Sequence, residues 1–247
     1  MNPVNLLYLI HKSKTVTGRI YLIPVTLGGI DFLKVIPEKV LEITRKLRFF
    51  IVEDIRSARR YLRLIDKEFP VEGSVFFELN EHTVETDIEH YLDPVMNGSD
   101  IGLMSEAGLP GIADPGARII SLAHRRKITV APLAGPSSII MALISSGLNG
   151  QNFSFNGYLP VDADKRAAKL RELERKAREG YTQIFMETPY RNQKMLESIL
   201  ATCNMNTLLC IAADITLPAE FIKTKKISEW KKSIPVLKDR LVVFVIQ

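Results

Sequence analysis

Ser105-Glu106-Ala107-Gly108-Leu109-Pro110-Gly111-Ile112-Ala113-Asp114-Pro115-Gly116 packs three glycines and two prolines into twelve residues. A strand-to-helix connection usually needs only about 2–6 residues. Five turn-formers in this one make it rigid and let a ligand approach its backbone closely. Asp100-Ile101-Gly102-Leu103-Met104 ahead of it reads as a buried strand, and a helical pattern follows. Asp114 is placed to cap that helix, with Pro115 at its first position. In open α/β sheets, ligands bind at loops on the carboxyl ends of parallel strands.

Outward from this loop the same rhythm repeats. Residues 19–25, 49–52, 74–78 and 128–131 read as further strands. Helical patterns begin near Pro37 and run over 55–66 and 83–96. Apolar strands alternating with helices predict a mostly parallel sheet covered on both faces. Past Gly150 the alternation restarts, with strands over 153–159, 183–186, 208–213 and 241–246 and helices over 164–179 and 190–201. The chain therefore reads as two α/β domains, 18–134 and 135–247.

Composition narrows the class without naming a partner. The chain has 247 residues, 46% hydrophobic and 25% charged, with a formal net charge of +5. That mild basic excess is compatible with RNA. Cys203 and Cys210 show no redox or metal spacing, and His11, His82, His90 and His124 form no metal-binding pattern. No dinucleotide fingerprint, phosphate-binding loop or nucleophile elbow is present. The apolar stretch 6–10 is too short for a signal core, and no run approaches the ~20 residues of a membrane helix. These absences argue for a cytoplasmic protein that uses no metal.

Four other segments stand at strand or helix ends. Pro132-Leu133-Ala134-Gly135-Pro136-Ser137-Ser138 leads into an apolar helix ended by Gly147, and offers backbone N–H groups that suit an anion. Pro24 to Gly29, Glu53-Asp54-Ile55-Arg56 and Glu187-Thr188-Pro189-Tyr190-Arg191 each follow a strand. In the helix after Glu53, Arg56, Arg59, Arg60 and Arg63 share one face, spaced for phosphates or carboxylates. The basic residues of 164–179 interleave with glutamates, which favours pairing along the helix.

Taken in order, these segments resemble the tetrapyrrole methylase family of S-adenosylmethionine-dependent methyltransferases. The resemblance lies nearest the branch that methylates a ribose 2′-hydroxyl of small-subunit ribosomal RNA. It rests on Leu103–Gly116, Pro132–Gly147, Glu53–Arg56, Phe155-Asn156-Gly157-Tyr158-Leu159-Pro160 and Glu187–Arg191. The chain departs from the family pattern at Pro24–Gly29 in the first motif, at Glu106 in place of an aspartate, near Asn80 where a leading histidine is missing, and at Ala213–Pro218 where the RNA branch carries a more basic run.

The resemblance implies two α/β domains with a cofactor cleft between them, a homodimer, and no metal. It implies S-adenosylmethionine contacts from Pro24, Val25, Ser105, Glu106, Ala107, Gly108, Pro110, Ile112, Pro132, Gly135, Pro136, Ser137, Tyr158 and Leu159. RNA contacts are expected from Arg56, Arg59, Arg63 and Arg191. A hydroxyl acceptor must lose its proton, and Glu53, Asp114 and Glu187 are the candidate bases. The alternatives are a tetrapyrrole, small-molecule or protein acceptor, and a homologue that binds the cofactor without turnover.

Overall fold

The computed structural model describes residues 17–247, so the apolar stretch 6–10 lies outside the described residues. The chain divides into two compact units. One takes the chain to Val25 together with Ile36–Gly135; the other takes Thr26–Val35 together with Pro136–Gln247.

In the first unit, five short strands form one all-parallel sheet: β1 (Arg19–Leu22), β2 (Phe49–Val52), β3 (Val75–Glu78), β4 (Ile101–Met104) and β5 (Thr129–Pro132), in the order β3-β2-β4-β1-β5. The connecting helices are α1 (Glu38–Lys46), α2 (Ile55–Ile65), α3 (Glu85–His90), α4 (Asp93–Met96) and α5 (Gly116–Arg125). The steps from β1 to β2 to β3 move one way along the sheet, and the steps from β3 to β4 to β5 move the other way. Because parallel crossovers are right-handed, this reversal puts α1 and α2 on one face and α3, α4 and α5 on the other. On the second face Ile88, Leu92, Val95, Ile119 and Leu122 pack against Ile20, Ile51, Ile101 and Leu103. The loops after β2 and β4 diverge at the reversal, where an open α/β sheet leaves a crevice.

Two helical expectations change here. The helix expected over 83–96 is two short ones, because Pro94 lacks the N–H that a continuous helix would use. Pro37 is the cap residue in extended backbone, and α1 starts one residue later.

The second unit holds β6 (Phe153–Tyr158), β7 (Thr182–Met186), β8 (Leu208–Ala213), β9 (Phe221–Lys226) and β10 (Val242–Ile246), ordered β6-β7-β10-β8-β9. Only β6 and β7 are parallel; the other pairs run antiparallel. The loop joining β8 to β9 is shorter than the dozen or so residues a parallel crossover requires, so the chain turns back on itself. Alternate residues of β10 serve two layers. Val242, Phe244 and Ile246 face α7 (Ala163–Arg178) and α8 (Asn192–Thr202), while Val243 and Val245 face α6 (Ser138–Ser146). A short α9 (Ile227–Trp230) follows β9. The helix expected from Tyr190 begins at Asn192, after a single 3₁₀ turn over Pro189–Arg191. On α7 the expected pairing forms, with Arg175–Glu179, Lys176–Glu172 and Arg178–Glu174 ion pairs.

Candidate functional site

At the carboxyl ends of β1, β2 and β4, three loops of the first unit meet. Gly108 has φ +73°, a backbone setting that side chains rarely adopt, and its carbonyl accepts from the Val25 N–H at 2.9 Å. This single antiparallel bridge joins the loop after β1 to the loop after β4. Pro24 is fixed from two sides. Its carbonyl accepts from the Tyr61 hydroxyl at 3.1 Å, and its ring lies where any side chain at Gly135 would stand. Pro24, Val25, Gly108 and Gly135 are thus gathered in one place. Ser105, Glu106 and Ala107 remain accessible beside them, and the Ser105 hydroxyl donates to the Ala107 carbonyl at 3.2 Å.

Asp114 does the capping its position suggested, and more. Helix α5 begins at Gly116 with Pro115 as the cap residue, and Pro115 makes no side-chain cap bond. The Asp114 carboxylate accepts from the Gly116 N–H in the first turn at 2.7 Å, and also reaches back to the Gly111 N–H at 2.8 and 2.9 Å. It ties the loop to the start of the helix. A Cβ at Gly116 would come within 2.7 Å of that carboxylate, which explains the glycine there. Between them Ala113 is held at φ +61°, a left-handed setting that costs a non-glycine residue about 1–2 kcal/mol. Burial raises the Asp114 pKa above its ordinary value, while the N–H groups of Gly116, Gly111 and Ile112 pull it back.

Glu53 stands one residue past β2, half-buried, and its carboxylate accepts one long bond, from the Glu106 N–H at 3.4 Å. Burial is the main cause of a raised pKa, and the nearby negative charges of Glu106 and Asp114 add to it. Glu53 and Asp114 both line a small pocket with Val52, Leu79, Met104 and Pro110, at the reversal point of the sheet.

The arginine stripe on α2 is exposed, while Ala58, Tyr61, Leu62 and Ile65 are buried. Its members are not equivalent. Arg63 pairs with Glu72 at 3.1 Å and donates to the Lys67 carbonyl, and Arg59 lies 5.2 Å from the Phe76 ring centre. Arg56 forms no ion pair among the described residues.

In the second unit, Ser137 caps α6 through a long bond from the Ile140 N–H, and Gly147 closes that helix at φ +72°. Pro136 is buried beside Ser137. Tyr158 ends β6 and Leu159 is buried in the core shared with α7 and α8. At the neighbouring end of β7, the buried Glu187 accepts from Arg191 Nη2 at 2.6 Å, from the Thr188 N–H at 2.7 Å and from Thr188 Oγ1 at 3.2 Å. A second pair stands close by. Asp214 accepts from Arg240 Nε at 2.7 Å, and Thr216 is held at φ +72° two residues later. Partners 26 residues apart carry no local spacing by which to be found.

Among the described residues, no group of His, Cys, Asp and Glu side chains could hold a metal ion, and no helix is long and apolar enough to cross a membrane.

Comparison with known proteins places this architecture. A family model of the tetrapyrrole (corrin/porphyrin) methylases matches residues 20–231. The chain is 30% identical over 210 residues to the ribosomal RNA small subunit methyltransferase I of Vibrio cholerae, covering 85% of this chain and 69% of that protein. It is 29% identical over 212 residues to the protein of the same name from Escherichia coli O157:H7, covering 86% and 70%. The solved structure of the methyltransferase CobJ superposes with a TM-score of 0.62 at 15% identity, over 93% of this chain and 94% of the other. The chain belongs to the tetrapyrrole methylase family and is a methyltransferase.

Proposed function

We propose that this methyltransferase uses S-adenosylmethionine to methylate a ribose 2′-hydroxyl of small-subunit ribosomal RNA, as a cytoplasmic homodimer. The observation that carries the reading is the meeting of the Gly108 turn, its Val25 bridge and Glu53 at the reversal point of a parallel sheet. Relatives about 30% identical and named for ribosomal RNA favour RNA over a tetrapyrrole or protein acceptor.

The residues fit the cofactor. A left-handed glycine turn with accessible neighbours lets a ligand lie against main chain, and the close Gly135–Pro24 contact fixes the adjoining backbone. Within the first unit, the contacts assigned to the cofactor are Pro24, Val25, Ser105 to Gly108, Pro110, Ile112, Pro132 and Gly135. When bound, S-adenosylmethionine supplies a methyl group on a positive sulfur that departs neutral and needs no acid. Positioning and exclusion of water by these loops therefore supply much of the rate.

Of the three carboxylates, Glu53 is the proton acceptor for the hydroxyl. Asp114 is spent on main-chain N–H groups and Glu187 on Arg191 and Thr188. Glu53 has free lone pairs and a raised pKa, closer to the working pH at which a general base is most effective. Arg56 and Arg59 steer the RNA backbone.

The test is transfer of labelled methyl from S-adenosylmethionine to unmethylated small ribosomal subunits, followed by mapping of ribose methylation. Label at a single ribose 2′-oxygen is expected. Label on protein or on a tetrapyrrole, with none on RNA, would overturn the acceptor.

A further inference from the structure

Positive charge is dense in one segment of the second unit. Residues 221–232 hold five lysines and one glutamate, a net of +4, against +5 for the whole chain. Four of these lysines are exposed and Lys225 is half-buried. None forms an ion pair among the described residues. The contrast with α7 is direct, because Lys169, Arg175, Lys176 and Arg178 there are answered by Glu172, Glu174 and Glu179 one turn away. The one acid in the lysine segment, Glu229, accepts from the Lys226 main-chain N–H at 3.0 Å.

The fold places Lys223 and Lys225 on one face of an edge strand. β9 is an edge strand, paired only with β8. Lys223 and Lys225 lie opposite Ile211 and Leu209, so they share the face on which Trp230 packs. Lys225 Nζ sits 4.8 Å from the Trp230 ring centre, and Trp230 Nε1 donates to the Leu209 carbonyl at 2.9 Å. Trp230 thereby fixes the place from which Lys231 and Lys232 emerge. Six extended residues span about 20 Å, enough to follow a polyanion for several phosphates.

We propose that the β9 edge and the turn after α9, through Lys223, Lys225, Lys231 and Lys232, form a phosphate-binding surface that grips the RNA backbone outside the methylation site. Lysines act on phosphates as mobile point charges, so this surface adds affinity and orientation without reading sequence. The inference rests on RNA as the acceptor. A bare edge strand also gathers lysines simply to prevent edge-to-edge association, and glutamate serves that purpose as well as lysine does. Charge reversal therefore separates the two roles.

The experiment measures binding of small-subunit ribosomal RNA against salt concentration. It compares the full chain with the exposed triple variant Lys223→Glu/Lys231→Glu/Lys232→Glu. The variant leaves Lys225 on Trp230 and should keep its melting temperature, its elution volume and its S-adenosylmethionine binding. RNA affinity should fall by about 10-fold or more, and the slope of log K against log salt should shrink by about 2. A variant with wild-type affinity and slope would overturn the surface while leaving the RNA reading intact. Failure of the wild-type chain itself to bind RNA would overturn that reading instead. Lysine-dependent binding to phosphatidylserine vesicles, with RNA binding unchanged by the variant, would assign the edge to a lipid headgroup and overturn the proposal.

Discussion

Glu53 and Glu187 stand at matching places, each one residue past a buried strand in its own unit, yet their surroundings differ in kind. Glu187 is sealed in a clamp. Its side chain is 3% exposed, and one oxygen takes an arginine, a main-chain N–H and a hydroxyl. Glu53 is half-buried with a single long contact, and its neighbours Glu106 and Asp114 are themselves negative. A carboxylate surrounded by donors holds a loop in shape. A carboxylate left short of donors, in partial burial, is ready to take a proton.

This contrast predicts opposite failures. Glu53→Gln should lower kcat by about 10²–10³-fold while cofactor binding and melting temperature stay near wild type. The wild-type pH profile should agree: activity needs the ionised carboxylate, so it is lost as pH falls through a pKa above the ordinary glutamate value of 4.5. Activity surviving in the Gln variant would move the base elsewhere. Glu187→Gln should do the reverse and leave Arg191 without its carboxylate. Because Arg191 keeps partial contact with solvent, the cost is about 2 kcal/mol, seen as a fall of about 5 °C in melting temperature. A large loss of kcat with unchanged stability would instead make Glu187 part of the chemistry.

The two regions were not equally open to sequence reading. Phe49–Val52 and the glycine-rich loop declare themselves locally, through apolar runs and turn residues a few positions apart, and the first sheet follows from them. Asp114 next to Pro115 reads as a helix cap by position. Its carboxylate turns back to Gly111 because the left-handed settings of Gly111 and Ala113 fold the loop onto itself. Arg63 belongs to the α2 stripe by spacing, but its partner Glu72 arrives through the chain reversal at Pro70. The antiparallel pairing of β8, β9 and β10 and the Asp214–Arg240 pair depend on contacts between distant residues, for which no local period exists.

The central claim is that the Gly108 turn bridged to Val25 forms part of an S-adenosylmethionine site. Calorimetric titration of S-adenosylmethionine and S-adenosylhomocysteine into the wild-type chain and into Gly108→Val tests it most directly. At φ +73° a branched side chain is strained, and the proposed site has the ligand lie against this backbone. One ligand of each kind per wild-type chain, with more than about 100-fold weaker binding in a variant that remains folded, is the predicted result. Wild-type affinity in Gly108→Val, or no binding of either ligand to the wild-type chain, would contradict it.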